Sequence, residues 1–337
     1  MRWGWMAAAC VLAQPAAAAA QEGPGEAAER YLRSFQRMDF ATAVALTEPS
    51  ERERAKAAIV GVETADSSDA VLREGYGVRS LAELRAMDAA SVYLRYLAVI
   101  GRDSPWDAVR RAGIDIHRLG ELRRGDTAFV VFRSSVTEDG DTDTQVTTVE
   151  MRRTGGAWMA RLHDQLVAGL GRLQAAFGEA ADSASGPPWT AGAPPVPGET
   201  PERVAERYIV AFGANDWAAI TSMANPVELD TLKAAMVRGA AGDDGGRVLQ
   251  DVGVSSVAEL RALSPAAVYA RYMDEYVARR GPDPADRLSL RVRIFGHVRV
   301  GDTAYVVYRA YERDGTLTGV QEMRVSTGVW RPYLLNR

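Results

Sequence analysis

The sequence predicts an α+β fold written twice along a 337-residue chain, and two observations carry that prediction. The first is internal repetition. Ser80 to Tyr96 matches Ser256 to Tyr272 at 11 of 17 positions, and the block from Gly125 to Arg133 returns from Gly301 to Arg309 with seven of nine residues identical. Ala28-Glu29-Arg30-Tyr31 returns as Ala205-Glu206-Arg207-Tyr208, and Glu150-Met151-Arg152 as Glu322-Met323-Arg324, always in the same order. A period this long marks a duplicated domain rather than a solenoid repeat. The second observation is that, inside each copy, apolar residues change from helical spacing to alternation, so helices come first and an antiparallel sheet follows.

The elements follow in order. Ala28, Tyr31, Leu32, Phe35 and Met38, repeated as Ala205, Tyr208, Ile209 and Phe212, form the apolar stripe of a first helix. Asp39 before Phe40 and Asp216 before Trp217 stand where a second helix starts, and a carboxylate there accepts a helix-end amide, worth about 1 kcal/mol. A long third helix opens at Asp88-Ala89 and at Ser264-Pro265, the proline suiting a first helical position. Its apolar face is Val92, Tyr93, Tyr96, Leu97 and Ile100, and Pro226 to Val237 also reads as helix. Alternation then takes over at Ile114 and Ile116 and at Ala128, Val130 and Phe132, broken at Gly125-Asp126 and Asp139-Gly140. Strands are expected over 114–122, 127–136, 144–153 and 157–163, so each copy reads as three helices followed by four strands. Gln165 to Phe177, with Leu166, Leu170 and Leu173 at helical spacing, is an extra helix of the first copy.

Domain organisation follows. Residues 1–20 hold one charge, Arg2, an apolar run from Trp3 to Ala13, and small residues ending Ala18-Ala19-Ala20, the pattern of a secretory signal peptide. The expected location is the periplasm or the exterior. The apolar run is shorter than the roughly 20 residues of a membrane span. The one cysteine, Cys10, falls inside this leader, so the mature chain is expected to carry no disulfide and no thiol chemistry. Residues 22–176 form the first domain and 200–337 the second. Between them 177–199 holds five prolines and four glycines, a linker composition. The 40 basic residues against 44 acidic give a net charge of -4, without the basic footprint of nucleic-acid binding. Only Lys56 and Lys233 among the basic residues are lysine, a bias that codon usage in a GC-rich genome accounts for.

Each copy resembles the nuclear transport factor 2-like, or cystatin-like, superfold. The residues that carry the resemblance are the Asn215-Asp216-Trp217-Ala218 joint, the Gly-Asp-Thr-Ala hairpin, and the closing strands at Gly155-Gly156-Ala157-Trp158 and Thr327-Gly328-Val329-Trp330. The resemblance implies two cone-shaped domains in which N-terminal helices pack on a curved antiparallel sheet. Arg30-Tyr31 and Arg207-Tyr208 also look like the ketosteroid isomerase branch, where such a tyrosine donates to an enolate oxygen. The aspartate base of that branch has no counterpart here, because Pro226 to Val237 reads as helix, and the strand expected to hold its protonated acid reads Val320-Gln321-Glu322-Met323.

Candidate chemistry is sparse. The histidines, His117, His163 and His297, are not repeated between copies, and parity turns His117 and His163 away from the apolar face. Asp139, Asp141, Asp143 and Glu150 have the spacing of a calcium loop, but Thr144 stands where the turn glycine is needed and strands flank it, so they read as a solvated hairpin. No metal or cofactor is expected. The polar residues held by both copies are the candidate ligand site: Tyr31, Tyr93, Tyr96, Arg95 and Arg133, matched by Tyr208, Tyr269, Tyr272, Arg271 and Arg309, with Glu29/Glu206 and Glu150/Glu322 beside them. Tyrosine hydroxyls and an arginine at the mouth of an apolar pocket suit an anionic or carbonyl ligand. The alternative is internal satisfaction, with Arg133 paired to Glu150 across strands. Arg287, Arg291, Arg293 and Arg299 form a candidate surface for an anionic envelope protein or polymer. The expected function is an exported, non-catalytic protein that binds a small ligand or an envelope partner, monomeric, with the two domains acting as a pseudo-dimer. Its alternative is an isomerase or cyclase using a tyrosine and a buried carboxylate.

Overall fold

The structure, a computed structural model, describes residues 22–66, 69–103, 114–138, 141–162, 193–242, 245–280, 291–312 and 315–334. The leader, the extra segment Gln165 to Phe177, most of the linker, Asp139, His163 and Arg287 lie outside them. The chain divides into two compact units, one ending at residue 177 and the other beginning at 178. The fold is α+β, with two four-stranded antiparallel sheets.

The first unit runs α1 (Pro24–Gln36), α2 (Phe40–Leu46), α3 (Pro49–Asp66), α4 (Asp69–Tyr76), α5 (Leu81–Ala86), α6 (Ala89–Asp103), β1 (Ile114–Arg124), β2 (Thr127–Glu138), β3 (Asp141–Thr154) and β4 (Ala157–Ala160). The second repeats the order with α7 (Pro201–Gly213), α8 (Trp217–Met223), α9 (Pro226–Ala240), α10 (Gly245–Val252), α11 (Val257–Ala262), α12 (Pro265–Arg280), β5 (Arg291–Val300), β6 (Thr303–Glu312), β7 (Gly315–Ser326) and β8 (Val329–Pro332). The expected count of three helices is thus corrected to six described in each unit. The missed helices are short or weakly amphipathic. α3 buries only Ala55, Ala58 and Ile59 on its apolar side and carries Glu51, Arg54 and Lys56 among them. α5 and α11 are six residues each and depend on caps, with Ser80 Oγ accepting from Glu83 N at 3.3 Å and Ser256 Oγ from Glu259 N at 3.2 Å.

Other local signals act as read. Asp39 accepts from Thr42 N at 3.1 Å and Asp216 from Ala219 N at 2.9 Å. Asp88 and Ser264 cap α6 and α12 through Ser91 N and Ala267 N. The turn before each of these second helices needs one left-handed residue, supplied by Met38 at φ 55° and Asn215 at φ 56°. Asparagine tolerates that conformation far better than other side chains.

Both sheets run in sequence order, β1-β2-β3-β4 and β5-β6-β7-β8. Ala128, Val130, Phe132, Val149 and Met151 face the helices and bury against Tyr31, Leu84 and Val92. In the second unit Ala304, Val306 and Met323 do so against Val204, Ala205 and Ile220. Each first strand is bulged, between Arg118 and Gly120 in β1 and between Ile294 and Gly296 in β5. A bulge switches which face the following side chains occupy. Among the described residues no helix is long and apolar enough to cross a membrane.

Candidate functional site

Within the second unit, α7, α9, α12 and the helix-side face of the sheet enclose a cavity of about 610 Å³, within the roughly 300–1,000 Å³ typical of small-molecule sites. Helical spacing puts Tyr208, Ile209 and Phe212 of α7 on one wall and Tyr269, Tyr272 and Met273 of α12 on another, while Leu232 and Ala235 of α9 close a third. The sheet contributes Tyr308 and Gln321, and Tyr333 and Leu334 enter just past β8. The walls are fixed by neighbours. Phe212 packs edge-on against Trp217 at 5.7 Å, and the Trp217 indole donates to Asp274 at 2.7 Å, tying α8 to α12.

Tyr308 owes its position to a glycine. Gly319 lies opposite it in the β6–β7 register, and a Cβ there would stand 2.7 Å from the Tyr308 ring and hydroxyl. Gln321, opposite Val306, is buried on the same face, and its Nε2 donates to the carbonyls of Glu322 at 2.9 Å and Tyr333 at 3.4 Å. Tyr208 points its hydroxyl at Tyr269, and burial raises both phenols, Tyr269 to about 12. They remain protonated and act as neutral hydrogen-bonding groups.

Comparing the two units position by position shows what is special in the second. Tyr308, Gln321 and Tyr333 occupy the places of Phe132, Val149 and Arg161. In the first unit Arg161 is drawn inward between two carboxylates, its Nε 3.0 Å from Glu51 and its Nη1 3.0 Å from Glu150, and all three are buried. In the second unit the same carboxylate positions are Glu228 and Glu322, and Tyr333 holds the place of Arg161. Glu322 takes Arg324 at 2.7 Å, whose guanidinium lies over the Tyr333 ring. Glu228, nearly buried, accepts from Leu334 N at 3.0 Å, and burial holds its carboxyl above the ordinary range despite Leu334 N–H and Arg324.

The predicted site residues divide. Tyr208, Tyr269 and Tyr272 line this cavity, and Tyr31 and Tyr93 are buried core residues of the first unit, with Tyr31 against Phe35 at 5.1 Å. Tyr96 is partly buried in that core, near Tyr76, whose hydroxyl donates to Glu63 at 2.9 Å. The arginines do not join the cavity, which corrects the expectation of an arginine-anchored anion site. Arg95 donates to the Tyr76 carbonyl, and Arg271 meets Glu259 at 3.6 Å on the surface. Arg309 is on the sheet's other face, its Nε 3.2 Å from Thr318 and its head over Phe295. Arg133 stands opposite Val146, whereas Glu150 lies opposite Phe129 and takes Arg161, so the expected cross-strand pair is replaced. Glu29 is in a surface pair with Arg33, and burial raises the half-buried Glu206.

The bulge in β5 also divides the expected arginine patch. Arg291 and Arg293 pair opposite Tyr311 and Arg309 on the face away from the helices, while Arg299, beyond the bulge, is opposite Ala304 and lies over Trp330 on the other. The same switch turns His297 toward the helices, where its Nδ1 is 2.5 Å from Glu202 on α7. His117 is exposed. Among the described residues no group of three or more acidic, histidine or cysteine side chains is placed to hold a metal.

Sequence reasoning missed Tyr308, Gln321 and Tyr333 because it looked for what the copies share, and it passed over Glu51 and Glu228, which they do share. The available signal was the opposite one, an apolar or ion-paired residue in one copy that becomes a neutral hydrogen-bonding residue in the other. A comparison of the chain with protein-family models, with curated proteins and with solved structures found no match in any of the three.

Proposed function

We propose that this is an exported binding protein of two nuclear transport factor 2-like cones, in which the second holds a neutral small molecule and the first is a filled, structural copy. The observation that carries the reading is the divergence at three equivalent positions, where Phe132, Val149 and Arg161 give way to the cavity-lining Tyr308, Gln321 and Tyr333. Among the described residues the lining is apolar and aromatic with a few hydrogen-bonding groups and no charged side chain, which suits an uncharged ligand of a few hundred daltons. Native mass spectrometry of the protein purified from its own compartment tests this. The expected result is a reproducible added mass that disappears in Ala235→Phe, which fills the cavity. A bare mass in every preparation, with no small molecule taken up on incubation, overturns the reading.

A second reading, an isomerase or cyclase, draws on one observation. Glu228 is a carboxyl raised by burial, and its charge is felt at the Tyr208 hydroxyl in the cavity wall. A carboxyl raised by burial beside a tyrosine is the pairing such chemistry needs. A titration that finds no carboxyl above about pH 6 excludes it.

A further inference from the structure

Gln321, the one amide among the described lining residues, has a fixed orientation. Both partners of Gln321 Nε2 are backbone carbonyls, of Glu322 at 2.9 Å and Tyr333 at 3.4 Å. A carbonyl oxygen accepts and never donates, so only the amide nitrogen can face them. The amide oxygen is thereby turned to the other side, where it has no hydrogen-bond partner among the described residues. Gln321 is 8% exposed and stands on the cavity side of the sheet. The tyrosine hydroxyls around it adapt, each able to donate or accept. Gln321 Oε1 can only accept. In the first unit this position is Val149, packed in the buried core, so the fold accommodates an apolar side chain here.

We infer that Gln321 is the specificity-determining residue of the cavity and that the ligand presents a hydroxyl or N–H to it: an aromatic or alicyclic alcohol, phenol or amide rather than the corresponding ether, ketone or hydrocarbon. This rests on the reading of the cavity as a ligand site. A ligand without a donor leaves a desolvated acceptor unmatched, and that loss is larger than the gain from one ordinary hydrogen bond. The remainder of the ligand is apolar, matching Ile209, Phe212, Leu232 and Met273.

The test uses the full chain and two probes of nearly the same shape, 2-naphthol and 2-methoxynaphthalene, with binding measured by calorimetry. The expected result is that 2-naphthol binds about tenfold or more tightly than its methyl ether. Gln321→Val, which restores the first unit's residue, and Gln321→Leu, closer in length, should each abolish that preference while still binding the ether. Thermal unfolding shows which variant is folded, and either suffices. Equal affinities in the unaltered protein, or a preference that survives in a folded variant, overturn the inference and leave the cavity reading standing. If neither probe binds, or if a probe binds and its binding is unchanged in Ala235→Phe, the cavity reading itself falls, and the inference with it.

Discussion

Replacing Arg161 by methionine removes the cation from between two buried carboxylates, and the consequence can be worked from the geometry. Glu51 is 2% exposed and Glu150 5%, and each is 3.0 Å from the guanidinium. Taking one partner out of a buried ion pair costs about 3–5 kcal/mol, because the remaining charge is desolvated without compensation. Glu51 keeps Arg54 at 3.1 Å, a half-buried partner, which places the expected loss near the lower end, about 3 kcal/mol. For a unit of this size that is a drop of roughly 6–12 °C in the corresponding transition. Differential scanning calorimetry of the full chain at pH 7 measures it. The triple variant Glu51→Gln, Glu150→Gln, Arg161→Met should recover most of the loss, since no buried charge is left. A shift below about 2 °C for Arg161→Met, or a triple variant no more stable than Arg161→Met itself, refutes the electrostatic account. The latter would mean that Arg161 acts through packing alone.

Three further outcomes are expected. Gly319→Ala should displace the Tyr308 ring, since the new methyl would sit 2.7 Å from it; a loss of about 1–3 kcal/mol together with weakened ligand uptake is expected, and unchanged unfolding and binding would show that Tyr308 is not held there. Lys233→Met should cost about 1.5–3 kcal/mol in thermal unfolding, because the ammonium donates to the carbonyls of Leu263 at 2.6 Å and Arg261 at 2.9 Å, which would be left bare at the end of α11. Lys233→Arg should restore little of it, the planar fork being a poor match for two converging carbonyls. For Glu202, burial alone would raise the carboxyl, but the His297 hydrogen bond and charge together with the helix-end amides hold it low. That stability is present above the ordinary glutamate value of about 4.3 and is lost as pH falls through the lowered one. Unfolding temperature followed from pH 6 to 3 should therefore fall more steeply in the unaltered protein than in Glu202→Gln, and parallel curves would refute the contact.

The sequence by itself determined the class, the repeat and most local structure, because these depend on nearest neighbours. Asp39, Asp216, Asp88 and Ser264 cap helices through residues three positions on, and the alternation at Ala128, Val130 and Phe132 fixes which face of a strand meets the helices. The two lysines, by contrast, read only as a codon bias, yet Lys56 and Lys233 each donate to a carbonyl just past α5 or α11. Tertiary structure alone decided the rest. A bulge at Phe295 changes the facing of His297 and Arg299; Gly296 beside it marks the place, but only the pairing with the neighbouring strand decides that parity breaks there. Whether a tyrosine fills a core or borders a cavity is likewise set at a distance. Tyr31 and Tyr208 are equivalent residues on equivalent helices, and only the side chains arriving from strands a hundred or more residues away, Phe132 and Val149 in one unit, Tyr308 and Gln321 in the other, make the first a packing residue and the second part of a cavity wall.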